Sequence, residues 1–145
     1  MNYTIGQLLR SKGNDIWSIA PQATAYEALQ IMCEKDVGAL LVIDKGKLVG
    51  IFSERDYARK VILKGKSSKH TSVDELMTHE LFYIAPQNTI IECMELMTAK
   101  CIRHVPVIKN EKLIGIVTIG DLVKQIILNQ EYIIKNLEQY ISCGY

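Results

Sequence analysis

Two short stretches of the chain carry side chains suited to holding a ligand. Ser53-Glu54-Arg55-Asp56 and Thr118-Ile119-Gly120-Asp121 each place a hydroxyl three residues ahead of a carboxylate, directly after an apolar run. Such a place reads as the end of a strand and the start of a helix. Free backbone N–H groups and the positive end of the helix dipole there attract phosphate and other anions. A carboxylate one turn in accepts two hydrogen bonds at once, matching the vicinal hydroxyls of ribose. Asp56 and Asp121 therefore suit ribose, and Ser53 and Thr118 suit ribose or phosphate oxygens. The same spacing is also a capping box, which stabilises a helix by roughly 1 kcal/mol without any ligand. By spacing alone capping is the commoner use, and the two roles are compatible.

The elements that position these residues come in two copies. Shifted by 65 residues, the chain aligns with itself without a gap, and 17 of 48 positions are identical between residues 16–63 and 81–128. Chance does not produce that in one register, so the chain is a duplication. In each copy an extended run (Trp17–Ile19, Phe82–Ile84) ends at a proline, and Thr24 or Thr89 then caps a helix. The helix carries apolar residues at Ala28, Leu29, Ile31 and Met32, or at Cys93, Met94, Leu96 and Met97, which is one buried face. Hairpin strands follow, Ala39–Ile43 with Leu48–Phe52 and Val105–Ile108 with Leu113–Val117, each leading into a second helix. A half of about 60 residues buries only about 60% of its surface on folding alone, so two halves stacked face to face are expected.

The copies differ in their cations. Arg55 and Arg59 lie four apart on one helix face, and guanidinium groups grip phosphate bidentately. A solvated helix face is the alternative. The second copy has Gly120 and Lys124 there, while its Arg103-His104 stands where the first has Gly38-Ala39. The repeats have thus diverged in a complementary way. His104 is alternatively an ordinary surface histidine, and His70 and His79 have no partner by spacing. Trp17 and Phe82 occupy matching positions where packing is commoner than stacking on adenine. Of the four cysteines, Cys33 and Cys93 read as core thiols, and Cys101 adjoins a possible ligand loop. No zinc spacing is present.

The motifs resemble a known family. Gly50-Ile51-Phe52-Ser53-Glu54-Arg55-Asp56 and Gly115-Ile116-Val117-Thr118-Ile119-Gly120-Asp121 are similar to the glycine–hydrophobic–Ser/Thr–x–x–Asp ending of CBS domains. Arg103-His104-Val105-Pro106-Val107 resembles the loop and strand before it. The resemblance covers about residues 16–130 and implies an α/β (α+β) fold. Two β-α-β-β-α units would pack with pseudo-twofold symmetry, flanked by an N-terminal helix and a long C-terminal one. The division it implies is an N-terminal helical segment 1–15, CBS domains 16–64 and 81–128, a linker 65–80 and a helical extension 129–145. It further implies clefts that bind AMP, ATP or NAD(H), with S-adenosylmethionine sharing the same adenosine. The implied contacts are Ile19, Ala20, Gly38, Ala39, Ser53, Arg55, Asp56 and Arg59 in the first copy. In the second they are Ile84, Arg103, His104, Pro106, Thr118, Gly120 and Asp121. The function implied is regulatory: a homodimer that senses a nucleotide and signals to a partner protein, without a catalytic cofactor.

The remaining sequence narrows the rivals. A net charge of +1 gives no field to gather nucleic acid or an anionic membrane. No run approaches the ~20 apolar residues of a membrane span, and residues 1–13 lack the regions of a secretory signal, so a cytoplasmic location is expected. There is no nucleophile–base–acid set, metal set or phosphate-loop glycine pattern to mark a small nucleotide-processing enzyme. The other rival is a structural dimerisation module with empty clefts. Tyr3–Arg10 reads as a short amphipathic helix packed through Ile5, Leu8 and Leu9. After Asp121 no strong breaker comes before Gly144, which predicts a helix of about six turns with an apolar stripe through Ile133, Ile134, Leu137 and Ile141. Such a stripe must be covered, and a second copy of the chain is the expected partner.

Overall fold

The computed structural model describes residues 3–142, apart from the side chain of Tyr140. Cys143 and the expected breaker Gly144 lie outside the described residues. In chain order the elements are α1 (Ile5–Lys12), β1 (Ser18–Ile19), α2 (Ala25–Lys35), β2 (Ala39–Asp44), β3 (Lys47–Ser53) and α3 (Glu54–Tyr57), which runs into a π-helical turn (Ala58–Ile62). Then come α4 (Val73–Leu76), α5 (Ile90–Lys100), β4 (His104–Lys109), β5 (Lys112–Thr118) and α6 (Ile119–Ser142). This is the mixed α/β plan expected from the duplication. The chain forms two compact units, Asp15–Phe82 and Met1–Asn14 with Tyr83–Tyr145.

In the unit Asp15–Phe82, β1 pairs parallel with β2, and β2 pairs antiparallel with β3. The hairpin turns on Lys45 and Gly46, with φ of 51° and 81°. Two successive positive φ values match the right-handed strand twist. α2 is capped by Thr24 and buries Ala25, Ala28 and Met32 against Leu40, Val42, Phe52 and Val61. In the other unit β4 pairs antiparallel with β5, and α5 buries Ile90, Cys93 and Met97 against Val105, Val107, Val117 and Leu122. The expected strand Phe82–Ile84 is reduced to a single bridge between Ile84 and Val107.

A short helix completes each core. α1, two residues further along than Tyr3–Arg10, buries Ile5, Leu8 and Leu9 with α5, β4 and β5. α4 and the residue that follows it bury Val73, Leu76 and Met77 with α2, β2 and β3. The stretch 65–80 expected as a linker thus supplies core side chains, each worth roughly 1.5–3 kcal/mol when buried. The two attachments are the same structure. Ile5 and Gly6 donate backbone bonds to Asn88 and Pro86, as Val73 and Asp74 do to Ala23 and Pro21. Thr4-Ile5-x-x-Leu8-Leu9 matches Ser72-Val73-x-x-Leu76-Met77, so the repeat continues at a changed offset of 68 residues. Each helix presses on a hairpin glycine. A Cβ on Gly50 would meet Met77 Sδ at 2.5 Å, and one on Gly115 would meet Leu9 Cδ2 at 2.9 Å.

One side chain expected in the core is elsewhere. Cys33 is exposed, because it sits one residue beyond the Ala25–Ala28–Met32 face; the second copy has a polar Thr98 there. Trp17 is 38% exposed and carries the Lys35 ammonium 4.6 Å above its ring. A cation over the indole face offsets part of the cost of exposure. Cys93 is buried as expected, and burial pushes its thiol up to about 11.

Candidate ligand site

Each Ser/Thr–x–x–Asp motif forms the corner where a hairpin strand turns into a helix. β3 ends at Ser53, whose hydroxyl accepts from Asp56 N–H at 3.1 Å, while Ser53 N–H donates to Asp56 Oδ2 at 3.0 Å. Thr118 and Asp121 repeat this, at 3.1 and 2.9 Å. The capping box is therefore formed in both copies. Glu54 N–H donates to the Gly38 carbonyl, and Ile119 N–H to the Arg103 carbonyl. The donors expected to stand open at these helix starts are thus largely engaged within the chain. The same bonds bring the loops before β2 and β4 to the helix starts: Ala39 pairs with Ser53, and His104 with Thr118.

The two carboxylates differ in what they have left to offer. In the unit Asp15–Phe82, Asp56 Oδ2 accepts from the Ser53 hydroxyl at 3.1 Å, and Oδ1 accepts from Thr78 Oγ1 at 3.2 Å. Lys60 Nζ lies 3.2 Å from Oδ1 and also donates to the Leu76 carbonyl at 2.9 Å. Both oxygens are committed, and the Asp56 side chain is only 13% exposed. In the other unit Lys12, at the end of α1, bridges Asp121 Oδ2 and the Ile116 carbonyl. Among the described residues nothing donates to Asp121 Oδ1. Burial raises the Asp121 pKa, but Lys12 and the Thr118 N–H outweigh it, so the carboxyl titrates below its ordinary 3.8.

The other expected contacts fall around these corners. Ser53, Gly38 and Asp56 are half-buried, Ala39 and Ile19 are buried, and Ala20, Arg55 and Arg59 are exposed. Arg59 lies in the π-helical turn, a feature the regular second copy lacks. In the second copy Thr118, Asp121 and His104 are half-buried, Ile84 and Pro106 are buried, and Arg103 and Gly120 are exposed. Burial lowers the His104 pKa below 6.5; Asp121 opposes this, and Arg103 and Lys12 reinforce it. His104 is thus an uncharged imidazole at neutral pH, and the cations of that corner are Arg103 and Lys12. Each unit carries its own cations, Arg55, Arg59 and Lys60 in one and Lys12 and Arg103 in the other. Sequence reasoning missed Lys60, Lys12 and Thr78. Lys60 was visible as an i,i+4 partner of Asp56, whereas nothing in the chain's spacing links Lys12 to Asp121. His70, expected to lack a partner, bonds Ser67 Oγ through Nδ1 at 2.9 Å.

Among the described residues no group of three His, Cys, Asp or Glu side chains is placed to hold a metal ion. None of their helices is long and apolar enough to cross a membrane. The CBS-domain family model matches residues 6–63 and 73–128. The chain belongs to the CBS-domain family. It is similar to the mitochondrial CBS domain-containing protein CBSX3 of Arabidopsis thaliana, 40% identical over 152 aligned positions that span 98% of this chain and 73% of that one. A solved protein with CBS domains from Burkholderia ambifaria is 46% identical, with a TM-score of 0.86 over 88% of this chain and 96% of that one. A CBS-domain protein from Agrobacterium tumefaciens is 37% identical, with a TM-score of 0.81 over 86% of this chain and 93% of that one. Both CBS matches begin at a short helix, in α1 and at α4. In space α1 packs with the second repeat and α4 with the first, so the CBS unit along the chain is not the compact unit.

Proposed function

We propose that this CBS-domain protein is a regulatory sensor that binds an adenine nucleotide, AMP, ATP or NAD(H), and signals to a partner protein, and that it is not itself an enzyme. The observation that carries this is the Asp121 corner. An ionised carboxylate with one uncommitted oxygen stands beside Thr118 and the Lys12 ammonium, at a corner whose Arg103 carbonyl accepts from Ile119 N–H and whose Arg103 side chain is exposed. That set offers an acceptor for ribose hydroxyls and donors for phosphate. The Asp56 corner, with both oxygens committed, is the weaker site. CBS-domain pairs are in general regulatory, ligand-binding modules, and the Burkholderia ambifaria relative is provisionally named a signal-transduction protein. The chain also self-associates as a homodimer in this proposal. Supporting that, a CBS-CP12 protein from bloom-forming cyanobacteria, 25% identical to this chain, is hexameric.

The test is thermal unfolding against AMP, ATP, NAD(H) and S-adenosylmethionine. A ligand at a hundred times its dissociation constant stabilises by about 2.7 kcal/mol, a rise of roughly 5–10 °C in a chain of this size. No shift with any of the four at millimolar concentration would overturn nucleotide sensing and leave a structural dimerisation module.

A further inference from the structure

We propose that α6 pairs with α6 of a second copy as a parallel two-stranded coiled coil, an inference that rests on the self-association proposed above and specifies its geometry. α6 begins as part of its own unit: Leu122 is fully buried, and Ile119 and Ile126 lie against the core. Beyond Asn129 every described side chain is exposed. Apolar residues nevertheless continue, and although Leu128, Tyr132 and Ile133 lie to its sides, one regular row runs the length of the helix. Val123, Ile127, Ile134, Leu137 and Ile141 are 47%, 50%, 55%, 57% and 72% exposed. With Gln130 they follow one another at intervals of four, three, four, three and four. This 3.5-residue period is that of a helix seam wrapped on another helix, not the 3.6 of a helix lying on its own domain. The seam is about 28 Å long.

The residues along it name the occupant and its direction. In heptad terms Ile127, Ile134 and Ile141 are the a positions and Val123, Gln130 and Leu137 the d positions. In a parallel coiled coil, isoleucine at every a position, with leucine at one d position (Leu137), favours two strands. Gln130, mid-seam, is the discriminating residue, and its side-chain amide has no hydrogen-bond partner among the described residues. In a parallel pair each d residue meets its own counterpart, so two Gln130 amides face each other and each supplies a donor and an acceptor. In an antiparallel pair a faces d, and Gln130 would be set against Ile134, burying an unsatisfied amide at both crossings. A second copy in parallel register satisfies the polar residue that any apolar partner would leave unpaired. One flank of the seam carries Lys124, Glu131 and Glu138, a charged rim that stays in water.

Sedimentation equilibrium of the full chain tests this, with circular dichroism as the check on folding. The wild-type chain should be a dimer. Ile134→Glu should raise the dimer dissociation constant roughly a hundredfold or more, and the milder Ile134→Ala about tenfold, with the fold intact because Ile134 is 55% exposed and lies outside the core of its unit. Direction is read separately, by oxidising Leu137→Cys in a chain with Cys33, Cys101 and Cys143 changed to serine. Parallel pairing brings the two 137 positions together and gives a cross-linked dimer, whereas antiparallel pairing sets 137 against Ile127 and gives none. A wild-type dimer whose constant is unmoved by both Ile134 variants overturns the coiled coil and leaves self-association through another face. A monomeric wild-type chain overturns both. A tetramer, or a dimer without the cross-link, overturns the parallel pair.

Discussion

Replacing Asp121 and Asp56 separately by alanine separates helix capping from ligand binding, because the two carboxylates are committed so differently. Asp121→Ala removes the bond from Thr118 N–H, about 1 kcal/mol for a cap, and the half-exposed Lys12 bridge, about 0.5 kcal/mol. The sum of about 1.5 kcal/mol lowers the Tm by roughly 3–6 °C, and the protein stays folded. Asp56→Ala loses the same cap, the i,i+4 bridge to Lys60 at about 0.4 kcal/mol, and the Thr78 hydroxyl bond to a charged acceptor at about 1.5 kcal/mol. Its Tm should fall about twice as far. Binding should rank the other way. Losing charge-assisted bonds to a ribose costs roughly 1.5–3 kcal/mol, a weakening of about 10- to 150-fold at the Asp121 corner. Calorimetry with the ligand that gives the largest thermal shift, alongside the melting curves, measures both. Acid unfolding supplies a third readout. Asp121 is depressed in the folded chain, so its contribution is complete above the unfolded value of about 3.9 and is lost as pH falls through the lower folded value. Asp121→Ala should erase that part of the acid transition. A folded Asp121→Ala chain with unchanged affinity would refute the assignment of the site. An equal fall in Tm for both variants would refute the accounting of bonds.

Four further outcomes follow from the packing and the backbone. Gly115→Ala forces the Leu9 methyls aside and should cost about 1–3 kcal/mol in chemical unfolding. Gly50→Ala should cost at least as much, since its Cβ would also meet the Thr78 carbonyl at 3.1 Å. Glu111 sits at φ 65° where the other hairpin has Gly46, so Glu111→Gly should stabilise by about 1 kcal/mol; an unchanged Tm would deny the strain. A thiol reagent at pH 8, read residue by residue by mass spectrometry, should modify Cys33 and Cys101 quickly and spare Cys93 until the chain unfolds.

The duplication, the helix faces, both hairpins and the long final helix were legible because each rests on local spacing: capping boxes, a 3.6-residue period, and turn residues between apolar runs. The Thr24 and Thr89 caps and the ends of β3 and β5 fall where those signals placed them. Errors arose where a neighbour distant in sequence decides the outcome. Cys33 lies one residue off a face whose centre only packing defines. Phe82–Ile84 has strand composition but finds a single backbone bridge. Residues 65–80 look like a linker by composition, yet three of their side chains close a core, because the changed offset hid their likeness to α1.

The sequence by itself determined that this is a tandem CBS protein with a hydroxyl and a carboxylate at each strand-to-helix corner, since those facts need only order and spacing. Which corner keeps an acceptor free was decided by tertiary structure alone. Lys12 reaches Asp121 across 109 residues and Thr78 reaches Asp56 across 22, contacts set by where α1 and the segment after α4 pack. A hydrogen bond acts only within about 3 Å, so identical motifs acquire different chemistry from whatever the fold brings beside them.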